Sequence, residues 1–321
     1  MALQQLHVLL TYACNFECDH CFVYSGPTAP GTMTIGQVRT LLDEARQVPT
    51  IEWVYFEGGE AFLYYPLLLA SVREAKEQGY RVGIVSNAYW ATSDEDAVLW
   101  LRRLADLGLA DLSLSDDAFH HGTELDDGAE PARGAEPAPD PGRETPAARA
   151  ARVARELGIP VGSITIEPPG IESGSGERGA PIVGGDVMFR GRAADMLTAG
   201  LPRRSPESLV ECPHEKLEHP TRVHVDPHGQ VQLCQGVSIG NVWRTPLASI
   251  LDEYDPSAHP ICGPLLRGGP AALAGEHDLT LASGYVDECH MCFETRRALL
   301  DRFPTELAPA QVYGRPELIP V

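Results

Sequence analysis

Short apolar runs alternate with amphipathic stretches through the first two hundred residues. Leu6 to Leu10 reads as a strand, and Thr34-Ile-Gly-Gln37 is a capping box that opens a helix reaching about Gln47. Ile51 to Phe56 is the next strand, Pro66 to Gln78 a helix closed by Gly79, and Tyr80 to Ser86 a strand. Ser93 to Leu107 is a helix closed by Gly108, Ala110 to Ser115 a strand, Ala147 to Leu157 a helix, and Val161 to Ile166 and Asp186 to Phe189 further strands. Apolar runs of about six residues separated by helices argue for parallel β/α units with right-handed crossovers. The fold class is α/β, and a partial (β/α)6 barrel of TIM type fits the series, with ligands gathering at the C-terminal ends of the strands.

Two stretches break the pattern. From Asp116 to about Pro146 the chain is rich in Asp, Glu, Ala, Pro and Gly, too polar to bury a core, and reads as a flexible acidic insertion. A Gly-rich loop runs from Gly170 to Gly176. Near Leu201-Pro-Arg-Arg-Ser-Pro206 the composition changes again, marking a linker. Beyond it, Arg222 to Val225 and Gln230 to Leu233 flank Asp226-Pro-His-Gly229 as a hairpin. Pro246 to Tyr254 and Glu294 to Arg302 read as helices. The division is therefore a core over 1–200, a small α+β module over 201–305 and a tail over 306–321.

Charge narrows the function. With 45 acidic residues against 25 Lys and Arg, the net charge of -20 disfavours nucleic acid and anionic membrane surfaces as partners. No apolar run reaches the ~18 residues of a membrane span, and no signal-peptide pattern opens the chain, so a cytoplasmic protein is expected. In that setting eight cysteines point to metal or redox chemistry rather than disulfides.

Three of them form Cys14-x3-Cys18-x2-Cys21, directly after the first strand. Three thiolates on one short loop reach three corners of a cubic 4Fe-4S cluster and leave the fourth iron open to a non-protein ligand. A disulfide would strand an odd thiol, and zinc would need a fourth ligand such as His20 or His7. One β/α unit later, Gly58-Gly59-Glu60 ends a strand, where glycines allow close backbone approach to a ligand and the carboxylate suits a cationic group. Asn87, Ser113 and Ser115 stand at the following strand ends, placed either for ribose and carboxylate groups or for capping. Near the C-terminus, Cys212, Cys234, Cys289 and Cys292 supply four thiolates for a closed site, and Cys262 is left over as a surplus thiol or a substitute ligand.

The cysteine triplet with Gly-Gly-Glu in this order resembles the radical S-adenosylmethionine (radical SAM) enzymes. One departure is His20, where that family usually carries an aromatic residue. The resemblance implies a 4Fe-4S cluster on Cys14, Cys18 and Cys21, with S-adenosylmethionine (SAM) on its open iron and the SAM amino group held by Gly58, Gly59 and Glu60. It further implies that Asp116 and His120 lie on the substrate side, that Ile164 and Ile166 contact adenine, and that Arg192 belongs to a Gly-Arg-Ala signature. The terminal cysteines resemble a twitch module, a shortened SPASM domain, with one auxiliary 4Fe-4S cluster; a structural zinc uses the same four ligands. The implied activity is reductive cleavage of SAM by an electron from flavodoxin or ferredoxin, then hydrogen abstraction in an oxidative modification of a peptide. A radical enzyme on a small metabolite such as a sugar or nucleoside is the alternative, and a non-catalytic iron-sulfur or zinc protein is the rival of another class.

Overall fold

A computed structural model of the chain describes residues 3–121, 144–172 and 182–316. In chain order the elements are β1 (Gln5–Thr11), α1 (Ile35–Ala45), β2 (Trp53–Gly58), α2 (Tyr65–Glu77), β3 (Arg81–Ser86), α3 (Asp94–Asp106), β4 (Asp111–Ser115), α4 (Ala118–His121), α5 (Pro146–Glu156) and β5 (Val161–Ile164). There follow β6 (Gly170–Glu172), β7 (Ile182–Gly184), α6 (Arg192–Met196), β8 (Arg222–Val225), β9 (Gln230–Cys234), β10 (Val237–Asn241), α7 (Leu247–Glu253), α8 (Cys262–Glu276) and α9 (Glu288–Ala298).

The local signals act as expected. Thr34 accepts from Gln37 N–H at 3.2 Å while Gln37 Oε1 accepts from Thr34 N–H at 2.8 Å, so the capping box fixes the entry of α1. Ser93 and Thr145 cap α3 and α5 by accepting from Asp96 N–H and Ala148 N–H. Strand residues of alternate parity then sort by polarity. Val8, Phe56, Ile84 and Leu112 stand side by side in the ladders and are fully buried, as the helix-covered face of a parallel sheet requires. His7, Tyr55, Gly83 and Asp111 align on the opposite, inner face.

The sheet has eight strands in the order β10-β9-β8-β1-β2-β3-β4-β5. Strands β1 to β5 are parallel, and β8 joins the free edge of β1, also in parallel. The C-terminal hairpin is therefore bonded to the parallel strands, and β1 lies at the join.

The expected sixth strand, Asp186 to Phe189, is absent from the sheet. Val187 and Phe189 pack with Ala193 and Val286 in a small cluster against Phe119 and Ile166, so their alternation reflects side-chain packing rather than a ladder. Strands β6 and β7 form a separate two-stranded antiparallel ribbon. The Gly-rich loop contributes Gly170–Glu172 to it, and the rest of that loop lies outside the described residues. Of the expected acidic insertion, residues 122–143 also lie outside the described residues. Among those described, Ala118–His121 is helical and Thr145 starts α5.

Helix α8 was not foreseen, because Gly263-Pro264 and Gly268-Gly269-Pro270 interrupt its apolar pattern; it bends at Gly268 and Gly269. Helix α9 begins at Glu288 rather than Glu294. No helix of the described residues is long and apolar enough to cross a membrane. Within the tail, Tyr313 is buried and stacks on Phe293.

Candidate functional site

The loop after β1 carries Cys14, Cys18 and Cys21, the first two buried and the third half-buried. Backbone bonds fix its course, with Cys14 N–H donating to Gly26 O at 3.0 Å and Cys21 N–H to Cys18 O at 3.1 Å. Donors already face the sulfurs. Phe16 N–H lies 3.4 Å from Cys14 Sγ, Ser25 N–H 3.3 Å from Cys21 Sγ, and Asn87 Nδ2 3.8 Å from Cys14 Sγ. Burial pushes the Cys14 thiol up to about 12. Burial also raises Cys18, reinforced by the charges of Cys21 and Cys14, so the three sulfurs are close enough to repel as thiolates. A set of buried thiols that resist ionisation alone is stabilised by a metal cluster that shares their charge.

The Gly58–Glu60 loop is laced to this one. Gly59 N–H donates to Thr11 O at 2.7 Å and Glu60 N–H to Ala13 O at 2.9 Å. A Cβ on Gly58 would stand 2.3 Å from Thr11 O, and one on Gly59 2.3 Å from Ala13 O. The glycines are thus required by backbone packing against the cysteine loop, which brings Glu60 beside it. The buried Glu60 carboxylate accepts from Phe62 N–H, Ser86 Oγ and Asn87 N–H at 3.0, 3.0 and 2.7 Å. Burial outweighs those three donors and raises it to about 7, where a cationic ligand would restore full ionisation.

The remaining predicted residues divide. Asn87 belongs to the site: its amide bonds Asn15 Oδ1 at 2.9 Å inside the cysteine loop. Ser115 is half-buried at the end of β4, whereas Ser113 Oγ donates to Asp111 at 2.8 Å within the strand. Ile166 and Phe119 both pack against the Val187 and Phe189 cluster, but Ile164 is exposed. Arg192 clamps the loop, donating to Cys18 O at 2.7 Å and Ser25 O at 2.6 Å. Gly191 permits this approach, since it takes a positive φ of 61° and a Cβ there would meet Phe22 Cα at 2.4 Å.

His120 is paired with Asp117. Its Nδ1 lies 2.7 Å from the buried Asp117 Oδ1, while Asp116 accepts from Thr145 Oγ1 at 3.2 Å. Asp117 is the residue that sequence reasoning missed; adjacent aspartates gave no signal as to which one turns inward. His20 stacks on Phe119 with ring centroids 4.4 Å apart, and burial lowers it to about 4. It is a neutral aromatic ring, which removes the sense of the departure noted at this position. His20 Nδ1 and Asp117 Oδ2 are buried with no hydrogen-bond partner, as suits a wall that meets a polar ligand.

Cys212, Cys234, Cys289 and Cys292 line one small cavity with Arg190, Glu215, Leu265, Pro270 and Arg296. Cys262 does not line it; its thiol is fully buried at the start of α8. Asp287 caps α9, accepting from His290 N–H at 2.7 Å, and so sets Cys289 in the first turn and Cys292 at the start of the next. Burial raises Cys212 to about 11, and the nearby Cys292 and Cys234 add to the rise. Two buried cations face these sulfurs. Arg190 Nη1 donates to Cys234 Sγ at 2.9 Å, and Arg296 bonds Cys292 and, at 3.0 Å, Gln235 O. Both Nε groups are buried without partners. A net anionic four-thiolate centre fits that charge pattern. The cavity lies near a larger cleft of about 1170 Å³, walled by Ile166, Phe189, Arg203, His214, Val286 and Asp287.

Comparison with known proteins bears on this geometry. A family model described as the radical SAM superfamily matches residues 8–172, slightly more than half of the chain. YydG of Bacillus subtilis, whose name assigns it to peptide biosynthesis, is 31% identical over 107 residues, 33% of this chain and 34% of that protein. A tungsten-containing aldehyde ferredoxin oxidoreductase cofactor-modifying protein of Pyrococcus furiosus is 29% identical over 107 residues, 33% of this chain and 29% of its own length. The chain thus spans about a third of the length of these curated relatives. Among solved structures, anSMEcpe with bound AdoMet gives a TM-score of 0.45 at 11% identity, over 94% of this chain and 98% of that one. Streptococcus suis SuiB bound to precursor peptide SuiA gives 0.42 at 10% identity, over 90% and 76%.

Proposed function

The chain belongs to the radical SAM superfamily, and on that premise we propose that it carries out an oxidative modification of a peptide begun by hydrogen abstraction. The observation that carries the reading is the Cys14, Cys18 and Cys21 loop, three crowded thiols with Glu60 locked beside them. Cys14, Cys18 and Cys21 would hold a 4Fe-4S cluster, which with bound SAM would supply the reductive cleavage that begins hydrogen abstraction.

The chain's own part is binding and exclusion. Gly58, Gly59, Glu60 and Asn87 are placed for the amino-acid end of SAM, and a cationic amino group would find in Glu60 a buried carboxylate ready to ionise. Ser115, Ile166, His20 and Phe119 are placed for its nucleoside end. Arg192 keeps the cysteine loop in position, and the Asp117–His120 pair holds a proton at Nδ1 on the same side. Cys212, Cys234, Cys289 and Cys292 fit a second, closed centre of the twitch or SPASM type, and Arg190 and Arg296 balance its charge. Four protein thiolates leave no open ligand position, which suits electron transfer rather than substrate binding. A flavodoxin or ferredoxin is the proposed donor, in a cytoplasmic setting.

A peptide is favoured by two points: the name of YydG, and a cleft larger than the 300–1,000 Å³ typical of small-molecule sites. The second reading is a small metabolite, favoured by the cofactor-modifying relative from Pyrococcus furiosus. The test is hydrogen transfer. A perdeuterated short peptide encoded beside the gene should pass deuterium into 5'-deoxyadenosine; transfer from a nucleoside or sugar but from no such peptide would select the second reading.

A further inference from the structure

Outside both cysteine sets, three ionisable side chains meet on the inner face of the sheet. His7 on β1, Glu57 on β2 and His224 on β8 come from three adjacent strands, with His7 directly opposite His224 in the ladder. His7 Nδ1 lies 3.1 Å from Glu57 Oε2, and His224 Nδ1 lies 2.8 Å from Glu57 Oε1. One donor atom from each residue falls within 4.8 Å of the others. We propose that His7, Glu57 and His224 form a binding site for one divalent transition-metal ion of the zinc or ferrous type.

Two imidazoles and a carboxylate are a donor set that such ions favour over calcium or magnesium. The outer contacts agree. Each ring turns its Nδ1 to the carboxylate and its Nε2 to a glutamine: Gln5 Oε1 at 3.2 Å from His7, and the Gln235 amide at 3.5 Å from His224. Gln235 Oε1 is buried without a partner, and exchanging the two ends of that amide would set this oxygen to accept from His224 Nε2–H. Amide oxygens that take the Nε2–H protons leave both Nδ1 lone pairs facing the Glu57 oxygens. That arrangement is repulsive unless a cation lies among them, and it is the usual outer support of ligating histidines.

The His7 and Glu57 side chains remain 12% and 18% exposed, which leaves one side of the ion open to water or substrate. Strand β1 leads from His7 into the loop that carries Cys14, and β9, hydrogen-bonded to β8, ends in Cys234.

The site depends on neither cluster, so it is tested separately from SAM cleavage. The full chain with its iron-sulfur sites reconstituted anaerobically is treated with Zn2+, desalted, and analysed for zinc and iron and by zinc K-edge absorption. The proposal predicts one zinc per chain with a nitrogen and oxygen shell at about 2.0–2.1 Å. Glu57→Gln and His224→Ala should each weaken zinc retention by at least about tenfold at unchanged iron content. No retained zinc in the wild-type chain, or a sulfur shell at about 2.3 Å, would overturn it. A wild-type spectrum without this shell decides against the proposal even where a variant fails to fold, and retention that survives in His224→Ala but is lost in His120→Ala would place the zinc at His20, Asp117 and His120 instead and overturn it.

Discussion

Glu60 concentrates the chemistry of the site in one side chain. Its carboxyl is raised by burial from an ordinary value near 4.5 to about 7, so the fold prefers it protonated. The linkage has a definite sign: the stability due to that proton is fully present below about pH 4.5 and is lost as pH rises through 7. Glu60→Gln keeps a neutral acceptor for Phe62 N–H and Ser86 Oγ and removes the titration. Between pH 5 and pH 8 the metal-free wild type should lose on the order of 2–3 kcal/mol relative to this variant, read as diverging melting temperatures. Parallel melting curves would contradict the assignment. Asp226, also raised to about 7 by burial, is common to both proteins and cancels in the difference. In the loaded enzyme the same variant should weaken SAM binding by about tenfold, one lost charge-assisted contact. The sequence made Glu60 visible through its glycines, although those glycines serve the Thr11 and Ala13 carbonyls. Asp117 stayed hidden beside Asp116 because both are acidic and only the turn into α4 decides which one meets His120.

The elements that were legible are those whose ends carry their own chemistry. Thr34 with Gln37, Ser93 and the left-handed glycines Gly79 and Gly108 mark helices that form where expected. Elements defined by distant partners were not legible. Val187 and Phe189 imitate a strand because a separate cluster buries both, and α8 is concealed by glycines that exist for close approach: a Cβ on Gly269 would meet Glu211 N at 2.3 Å, next to Cys212. The start of α9 was masked because Cys289-His-Met-Cys292 reads as a metal grip, although Asp287 supplied a cap signal. Asp287→Ala should cost about 1 kcal/mol as a lost N-cap and lower the iron held by the C-terminal cysteines, measured against an unchanged N-terminal site. A normal iron complement with an unchanged melting temperature would show that the cap does not position these thiols.

At the scale of the whole molecule, the two cysteine sites share one sheet and one strap. Strand β1 leads into the first site and pairs with β8 of the hairpin that leads into the second. The tail closes the same span: Gln311 Nε2 donates to Tyr24 O at 2.9 Å beside the cysteine loop, and Tyr313 Oη donates to Gly236 O at 2.7 Å and lies 3.2 Å from Arg296. A tail of mixed composition gave no sequence signal for this docking, because its partners lie 17 to 287 residues away along the chain. Each site nevertheless has its own ligands, so replacing Cys14, Cys18 and Cys21 by Ala should leave roughly half of the iron in place; loss of all iron would mean that the sites do not load independently. The most direct test of the central claim is 5'-deoxyadenosine formed from SAM and dithionite under anaerobic conditions. The wild-type chain with both sites loaded should produce it and the triple cysteine variant should not, whereas a fully loaded wild-type chain that yields none would contradict the account.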